Sequence, residues 1–113
     1  MIDMSNKRKS GLAFQITAAK AQQHIRDLAQ VTENIKFTLH AMERMDERGI
    51  DDVDVMRTLR AGFVDEPPQD LGNGEWQAKV TRAMKGGRSV GVVCISLRQR
   101  RLVIRTVEWE DLP

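Results

Sequence analysis

The sequence predicts an α+β domain in which N-terminal helices pack on a three- to four-stranded antiparallel β-meander. The first half carries apolar residues at helical spacing, and the second half alternates apolar and polar residues as strands do. A Gly-Gly pair stands between two such strands, which is typical of a hairpin loop. A length of 113 residues leaves room for one domain with one core.

The domain is predicted to follow a short polar tail. We expect residues 1–11 to be flexible and residues 12–113 to form a single α+β domain. Its parts are an extra N-terminal helix (12–33), a pair of helices (34–62) and the β-meander (63–109).

Three helices are predicted from periodicity and from capping residues. The stripe of Phe14, Ala18, Ala21, Ile25 and Leu28 indicates a helix that runs to about Val31. After a short extended stretch (34–38), Thr38 is a plausible N-cap for a helix through Arg48, which Gly49 ends. Asp51 and Asp54 have the spacing of a capping box for the third helix, and Gly62 is a natural residue to follow its last turn.

The remaining residues are predicted to be strands and turns. Phe63–Asp65 is a possible edge strand that Pro67 and Pro68 stop. No crossover helix fits between the strands that follow, so they should pair antiparallel. Their predicted order is a turn at 71–74, a strand at 75–83, a hairpin loop at 85–88, a central strand at 89–97, a tight turn at 98–101 and a last strand at 102–109.

Composition excludes several classes of protein. The single cysteine, Cys94, cannot form an internal disulfide and lies in an apolar run, so we expect a core residue. No stretch approaches the ~18 apolar residues of a membrane span, and the basic start has no apolar segment behind it, so we expect a cytoplasmic protein. The motifs of metal, nucleotide-phosphate and serine-hydrolase sites are absent, so neither a metal nor another cofactor is expected.

The charges are segregated along the chain. Residues 76–107 hold eight Lys or Arg and no acidic residue, whereas residues 1–75 hold ten basic and thirteen acidic residues. Clustered cations act together on phosphates, so this pattern indicates a polyanion-binding surface. The alternative is a solvated sheet face that is balanced by acidic helices. The acidic residues Glu108, Glu110 and Asp111 could also fold over the basic sheet as a lid.

One helix carries a candidate catalytic stripe. His40, Arg44 and Arg48 are four residues apart, so they share one helix face, while Leu39, Met42 and Met45 should face the core. Histidine can transfer a proton near neutral pH, and arginine can hold phosphate oxygens. The alternative is an exposed face whose arginines pair with Glu43, Glu47 and Asp51.

Residues from about Phe37 to Glu108 resemble a family of small bacterial and phage proteins that is classed as a domain of unknown function. The resemblance rests on the His-x3-Arg-x3-Arg-Gly-Ile element (His40–Ile50), on Asp54-Val55, on Leu59–Gly62 and on the strand Leu102–Val107. The family is similar in architecture to the RelE-like and MqsR-like toxins, which implies a RelE-like or barnase-like fold. It also implies mRNA cleavage through the RNA 2′-hydroxyl without a metal, and neutralisation by a partner antitoxin. The chain departs from RelE-like enzymes in having no tyrosine.

These observations lead to a functional hypothesis, a metal-independent endoribonuclease of toxin–antitoxin type. His40 would be the general acid or base, Arg44 would grip the scissile phosphate, and Arg82 and Arg105 would stabilise the pentavalent state. Arg82 shares the strand parity of Trp76, Ala78 and Val80, which is unusual for an arginine unless that face opens onto a groove or the strand has ended. Further RNA contacts are assigned to Arg48, Lys79, Lys85 and Arg88.

Two other functions remain open. One is a non-catalytic nucleic-acid-binding module, for which the basic sheet suffices. The other is a protein-interaction domain whose basic face meets an acidic protein. The oligomeric state and the antitoxin cannot be read from the sequence.

Overall fold

The computed structural model describes residues 16–111 and has the predicted α+β class. Ile16 and Thr17 lead directly into the first helix. The predicted tail (1–11), Phe14 and the last two residues lie outside the described range. The elements in chain order are α1 (Ala18–Ala29), β1 (Ile35–Phe37), α2 (Leu39–Arg48), α3 (Asp52–Ala61), β2 (Gln69–Gly72), β3 (Glu75–Ala83), β4 (Ser89–Leu97) and β5 (Arg101–Trp109), with 3-10 turns at Thr32–Asn34 and Lys85–Gly87.

Capping residues set the helix starts. The Thr38 hydroxyl accepts a hydrogen bond from the Ala41 backbone N–H at 3.0 Å, which confirms the predicted N-cap of α2. Asp51 and Asp54 form a complete capping box at the start of α3, also as predicted. Gly49 ends α2 in the left-handed region at φ 66°, a conformation that glycine adopts without steric cost.

α3 ends before Gly62, as predicted, but Gly62 serves a purpose that the sequence did not indicate. Its φ is −80° and its backbone is extended, so it does not end α3 in a left-handed turn. A Cβ at this position would lie 2.6 Å from the carbonyl oxygens of both Thr58 and Thr81. Glycine is therefore needed here because α3 and β3 approach each other closely.

The sheet has five strands in the order β1-β5-β4-β3-β2. The strands β3 to β5 pair antiparallel, as predicted, and β2, which was not predicted, pairs antiparallel with β3. β1 pairs parallel with β5, in the register Ile35 opposite Leu102, which the meander prediction did not include. The Thr38 N–H and hydroxyl also donate to the Ile104 carbonyl, at 3.2 and 2.9 Å. This pairing adds a parallel edge to the predicted antiparallel sheet.

The predicted edge strand at Phe63–Asp65 is wrong. Only an isolated bridge joins Phe63 to Thr81, and β2 begins six residues later, at Gln69. Proline has no backbone N–H for a ladder, so pairing resumes only after Pro67 and Pro68. The predicted turn at 71–74 is correspondingly shorter, because Leu71 and Gly72 belong to β2.

The core lies between the helices and one face of the sheet. α1 contributes Ala21, Ile25, Leu28 and Ala29, each with no exposed surface. Cys94 is fully buried among strand residues, which confirms its predicted core position, and burial raises the pKa of its thiol to about 12. No helix within residues 16–111 is long and apolar enough to cross a membrane.

The predicted orientation of α2 is only partly correct. Met45 packs against the core, but Leu39 and Met42 are 69% and 48% exposed. Instead, fully buried Ala41 faces the sheet one turn before Met45. A small residue lets α2 approach β5 closely, and this rotates the larger apolar side chains into solvent.

Candidate nucleic-acid interface

The face of the sheet opposite the core is the candidate interface. Strand residues alternate between the core and this second face, and those on the second face are half-buried or exposed except Gly91, which is buried. We call it the open face. Registered positions on it are Lys36, Gln77, Lys79, Thr81, Gly91, Val93, Ile95, Leu97, Arg101, Val103, Thr106 and Glu108.

Several cations lie along the open face. Lys36 stands opposite Val103 on the β1–β5 edge, and Arg101 stands opposite Leu97. Arg105 lies at an irregularity in the β4–β5 ladder, and its guanidinium donates to the Gln77 side-chain oxygen two strands away. These contacts place basic groups on two neighbouring strands of one face, β1 and β5.

Lys79 is the central cation of this face, and two carboxylates hold it. Its Nζ lies 2.8 Å from Glu110 Oε1 and 3.5 Å from Glu108 Oε2. The hydrogen bond with Glu110 is the main cause that raises the pKa of Lys79. Lys79 therefore stays protonated and acts as a fixed positive charge rather than as a proton donor.

A groove of about 450 Å³ opens beside Lys79. Gln77, Lys79 and Thr81 of β3 form its floor, with Glu110 and the segment from Asp65 to Pro67 among its other lining residues. A volume of this size accommodates a small ligand or one nucleotide unit.

The β3–β4 hairpin carries the next two predicted RNA contacts. Lys85 is exposed in the 3-10 turn. The Arg88 guanidinium lies 3.8 Å from the ring centroid of Trp109, and its Nε is 3.4 Å from Asp111 Oδ2. Arg88 is therefore already held by groups of the chain itself.

The stripe on α2 lies on the core side of the sheet, beside β5. His40 is exposed near the start of α2. Arg44 pairs with Glu47 at 2.8 Å, which is one of the pairings that the sequence left open. Arg48 donates to the Val107 carbonyl oxygen of β5, and its own carbonyl accepts from the Trp109 indole at 2.9 Å.

Arg82 also faces the helices, and the groove predicted on its face is not there. α3 covers this position, and the guanidinium donates to Thr58 Oγ1 at 3.2 Å and to the Asp54 carbonyl at 3.3 Å. The Asp54 carboxylate lies 3.9 Å away. Arg82 thus links β3 to α3 and satisfies the buried Thr58 hydroxyl.

The structure divides the predicted site residues between two sides of the sheet. Lys79 and Arg105 share the open face, where Gln77 lies between them on β3. His40, Arg44, Arg48 and Arg82 lie on the helix side. The Arg105 side chain contacts Gln77 on the open face rather than the residues of the α2 stripe.

Comparison with known proteins identifies a family. The model of a family described as a domain of unknown function, DUF4258, matches residues 37–109. The chain belongs to this family. No curated protein and no solved structure gives a significant match. The likeness to a domain-of-unknown-function family is thereby confirmed, and the likeness to RelE-like toxins stays a prediction.

The matched DUF4258 segment contains α2 and most of the open face, whereas Lys36 and Glu110 lie just outside it. It runs from the end of β1 to the end of β5, so α1 lies outside it although α1 supplies part of the core. Within residues 16–111, no group of three or more His, Cys, Asp or Glu side chains is arranged to hold a metal ion.

Three residues of the candidate site were not among the predicted catalytic and RNA-contact residues. Glu108 and Glu110 lie against Lys79, and Gln77 accepts from Arg105. Strand parity places Gln77 beside Lys79, and the acidic end was noted as a lid over the basic sheet. The pairing of these carboxylates with Lys79 could not be assigned, because it depends on the register of three strands.

Proposed function

We propose that this DUF4258 domain is a metal-independent endoribonuclease of the toxin type that holds single-stranded RNA along the open face. One observation carries the proposal. The open face brings Lys79 and Arg105, both able to contact phosphate, to the same surface as the Glu108 carboxylate, 3.5 Å from Lys79.

Phosphate contacts would come from cations on neighbouring strands. Lys36 and Arg101 are exposed on the open face, and neither has an ion pair within the described part of the chain. Adjacent strands are about 4.8 Å apart, so these groups can contact successive parts of one RNA backbone. Few aromatic side chains are present, so the contacts favour the backbone over the bases.

The reaction proposed is attack by the RNA 2′-hydroxyl on the adjacent phosphorus. The Glu108 carboxylate takes the hydroxyl proton, the 2′-oxygen bonds to phosphorus, and the 5′-oxygen leaves with a proton from water. The products are a 2′,3′-cyclic phosphate and a 5′-hydroxyl. Lys79 and Arg105 stabilise the negative charge that develops on the phosphate oxygens.

The decisive experiment is induced expression in a bacterial host, with growth and mRNA integrity followed together. Wild type should arrest growth and degrade mRNA. The cleavage rate of Glu108→Gln should be lower than that of wild type by a factor of about 10² or more. Glu33→Gln is the matched control, because it removes the same charge from an exposed 3-10 turn between α1 and β1. Purified wild type should keep its activity in a chelator.

His40→Ala belongs in the same experiment, because His40 remains a predicted acid or base. Loss of activity in His40→Ala with full activity in Glu108→Gln would move the chemistry to the helix side. If wild type affects neither growth nor mRNA, the domain is a binding module rather than a nuclease. The proposed toxin role also includes a cognate antitoxin and a cytoplasmic location, and the antitoxin should restore growth when it is co-expressed.

A further inference from the structure

The Glu110 side chain extends from the end of β5 across β4, over the space that Gly91 leaves open. Its carboxylate lies over Gly91 of β4 and reaches Lys79 of β3, with 2.8 Å between Nζ and Oε1. A Cβ at position 91 would overlap the carboxylate and would lie 2.9 Å from Glu110 Cδ. No backbone atom is among the nearest contacts of that Cβ, so the space at Gly91 is filled by side-chain ends.

The chain around Glu110 is held on both sides. The Glu110 N–H donates to the Ser89 carbonyl at 2.8 Å, which continues the pairing of β4 with β5. The next residue, Asp111, pairs with Arg88, and Arg88 covers the Trp109 ring. Glu110 is therefore positioned over the sheet rather than free in solvent, and its side chain is only 23% exposed.

We propose that the Glu110 carboxylate occupies a phosphate subsite at Lys79 and that an RNA phosphate binds there by displacing it. This inference rests on the proposed function and names the ligand of its central cation. Carboxylate and phosphate oxygens accept from the same ammonium donors. An ion pair near the surface is weak, so a polyanion that gains several contacts at once can replace it.

The two carboxylates at Lys79 then have opposite effects on RNA. Glu110 makes the shorter contact and is the less exposed, so it is the competitor. Glu108 is 3.5 Å away and 39% exposed, and it remains available as the base. Removal of Glu110 should strengthen RNA binding, whereas removal of Glu108 should slow cleavage.

The test measures affinity for a fluorescent single-stranded RNA with 2′-O-methyl riboses, which cannot supply the attacking hydroxyl. Glu110→Gln should bind about fivefold more tightly than wild type, the upper range for one surface ion pair. Its plot of log affinity against log salt should keep nearly the wild-type slope, because the same phosphate contacts Lys79 in both proteins once Glu110 is displaced. Glu33→Gln controls for net charge and should change the affinity by less.

Gly91→Ala tests the same contact without any change of charge. The added methyl group should push the Glu110 carboxylate away from Lys79 and raise RNA affinity as Glu110→Gln does. In the Glu110→Ala background, Gly91→Ala should add nothing, because the group that it displaces is gone. Thermal unfolding of each variant shows that the folded protein is being compared.

Titration with inorganic tripolyphosphate separates this inference from the nuclease proposal. Tighter binding of tripolyphosphate by Glu110→Gln than by Glu33→Gln supports the subsite even if wild type does not bind RNA. Equal affinities of Glu110→Gln and Glu33→Gln for both RNA and tripolyphosphate would overturn it, whether or not the domain cleaves RNA.

Discussion

His24 joins α1 to the sheet, and its partly buried surroundings favour the neutral form of its ring. Its Nε2 lies 3.2 Å from Ser96 Oγ, and its ring lies 5.6 Å from the ring of Trp76. Burial is the main cause that lowers the pKa of His24 from 6.5; Arg100 lowers it further and Asp27 opposes the shift. Protonation is therefore easier in the unfolded chain than in the folded protein.

This contact predicts a loss of stability in mild acid. Because the folded pKa is lower than the unfolded one, the contribution of His24 is complete above about pH 6.5 and is lost as the pH falls toward the folded pKa. Urea unfolding at pH 7.5 and 5.5 should show a decrease for wild type and a smaller decrease for His24→Gln. Equal decreases in the two proteins would assign the titration to another group.

Several arginines donate to backbone carbonyls rather than to a ligand. Arg26 donates to the Gly62 carbonyl at 2.7 Å, and Arg60 donates to the Ala29 carbonyl at 2.8 Å, so each helix of the α1–α3 pair caps the end of the other. Arg48 likewise donates to a backbone carbonyl, that of Val107 in β5. The sequence shows that a residue is basic but not which group of the folded chain it contacts. Arg48 and Arg82 were therefore expected to bind phosphate, although both are held by groups of the chain itself.

At the scale of elements, the close approach of α3 and β3 at Gly62 predicts that a larger residue there destabilises the fold. Gly62→Ala should reduce the free energy of unfolding by about 3 kcal/mol, because two backbone carbonyls and Val80 Cγ1 at 2.8 Å leave no space for a methyl group. Gly49→Ala should cost only about 1 kcal/mol, because position 49 is in open space and only its φ of 66° is unfavourable.

Chemical denaturation of the two alanine variants distinguishes these causes. A tolerated Gly62→Ala would mean that α3 can move away from β3. In that case the Arg82 contacts to Thr58 and Asp54 would have to lengthen as well, and a structure of the variant would show it.

The elements that local signals define were predictable, and those that depend on distant partners were not. The Thr38 cap and the Asp51–Asp54 capping box lie within four residues, and the hairpin at Gly86-Gly87 is equally local. The partner of β1 is a strand near the other end of the described chain, and nothing around Ile35 indicates it. The rotation of α2 likewise depends on how closely Ala41 approaches β5.

The candidate site shows the same division. Lys79 lies on the solvent side of β3, where the alternation of apolar and polar residues along this strand places it, because strand parity is a local property. Whether His40 and Arg105 share a surface depends on which face of the sheet α2 covers. That choice is made by the packing of the whole molecule.

At the scale of the whole molecule, α1 belongs to the core although the DUF4258 match begins after it. Leu28 and Ile25 have no exposed surface and pack with strand residues. We expect Leu28→Ala to lower the free energy of unfolding by about 3 kcal/mol, and a chain that lacks residues 1–33 not to fold. Val31→Ala is the control, because Val31 is 50% exposed.

Circular dichroism and urea titration of these variants measure the contribution of α1. A cooperative unfolding transition in the shortened chain would contradict the expectation. It would mean that residues 34–111 form a core without this helix.

The parallel pairing of β1 with β5 sets the order in which the protein can fold during synthesis. Thr38 and the Ile104 carbonyl that it contacts are 66 residues apart along the chain. Contacts between such distant residues form late and slow the folding of small domains. On the ribosome, β1 has no strand to join until β5 has emerged, so the open face cannot be complete before translation of this domain is nearly finished. A nuclease with this topology would become active only after the ribosome had translated this region of its own mRNA.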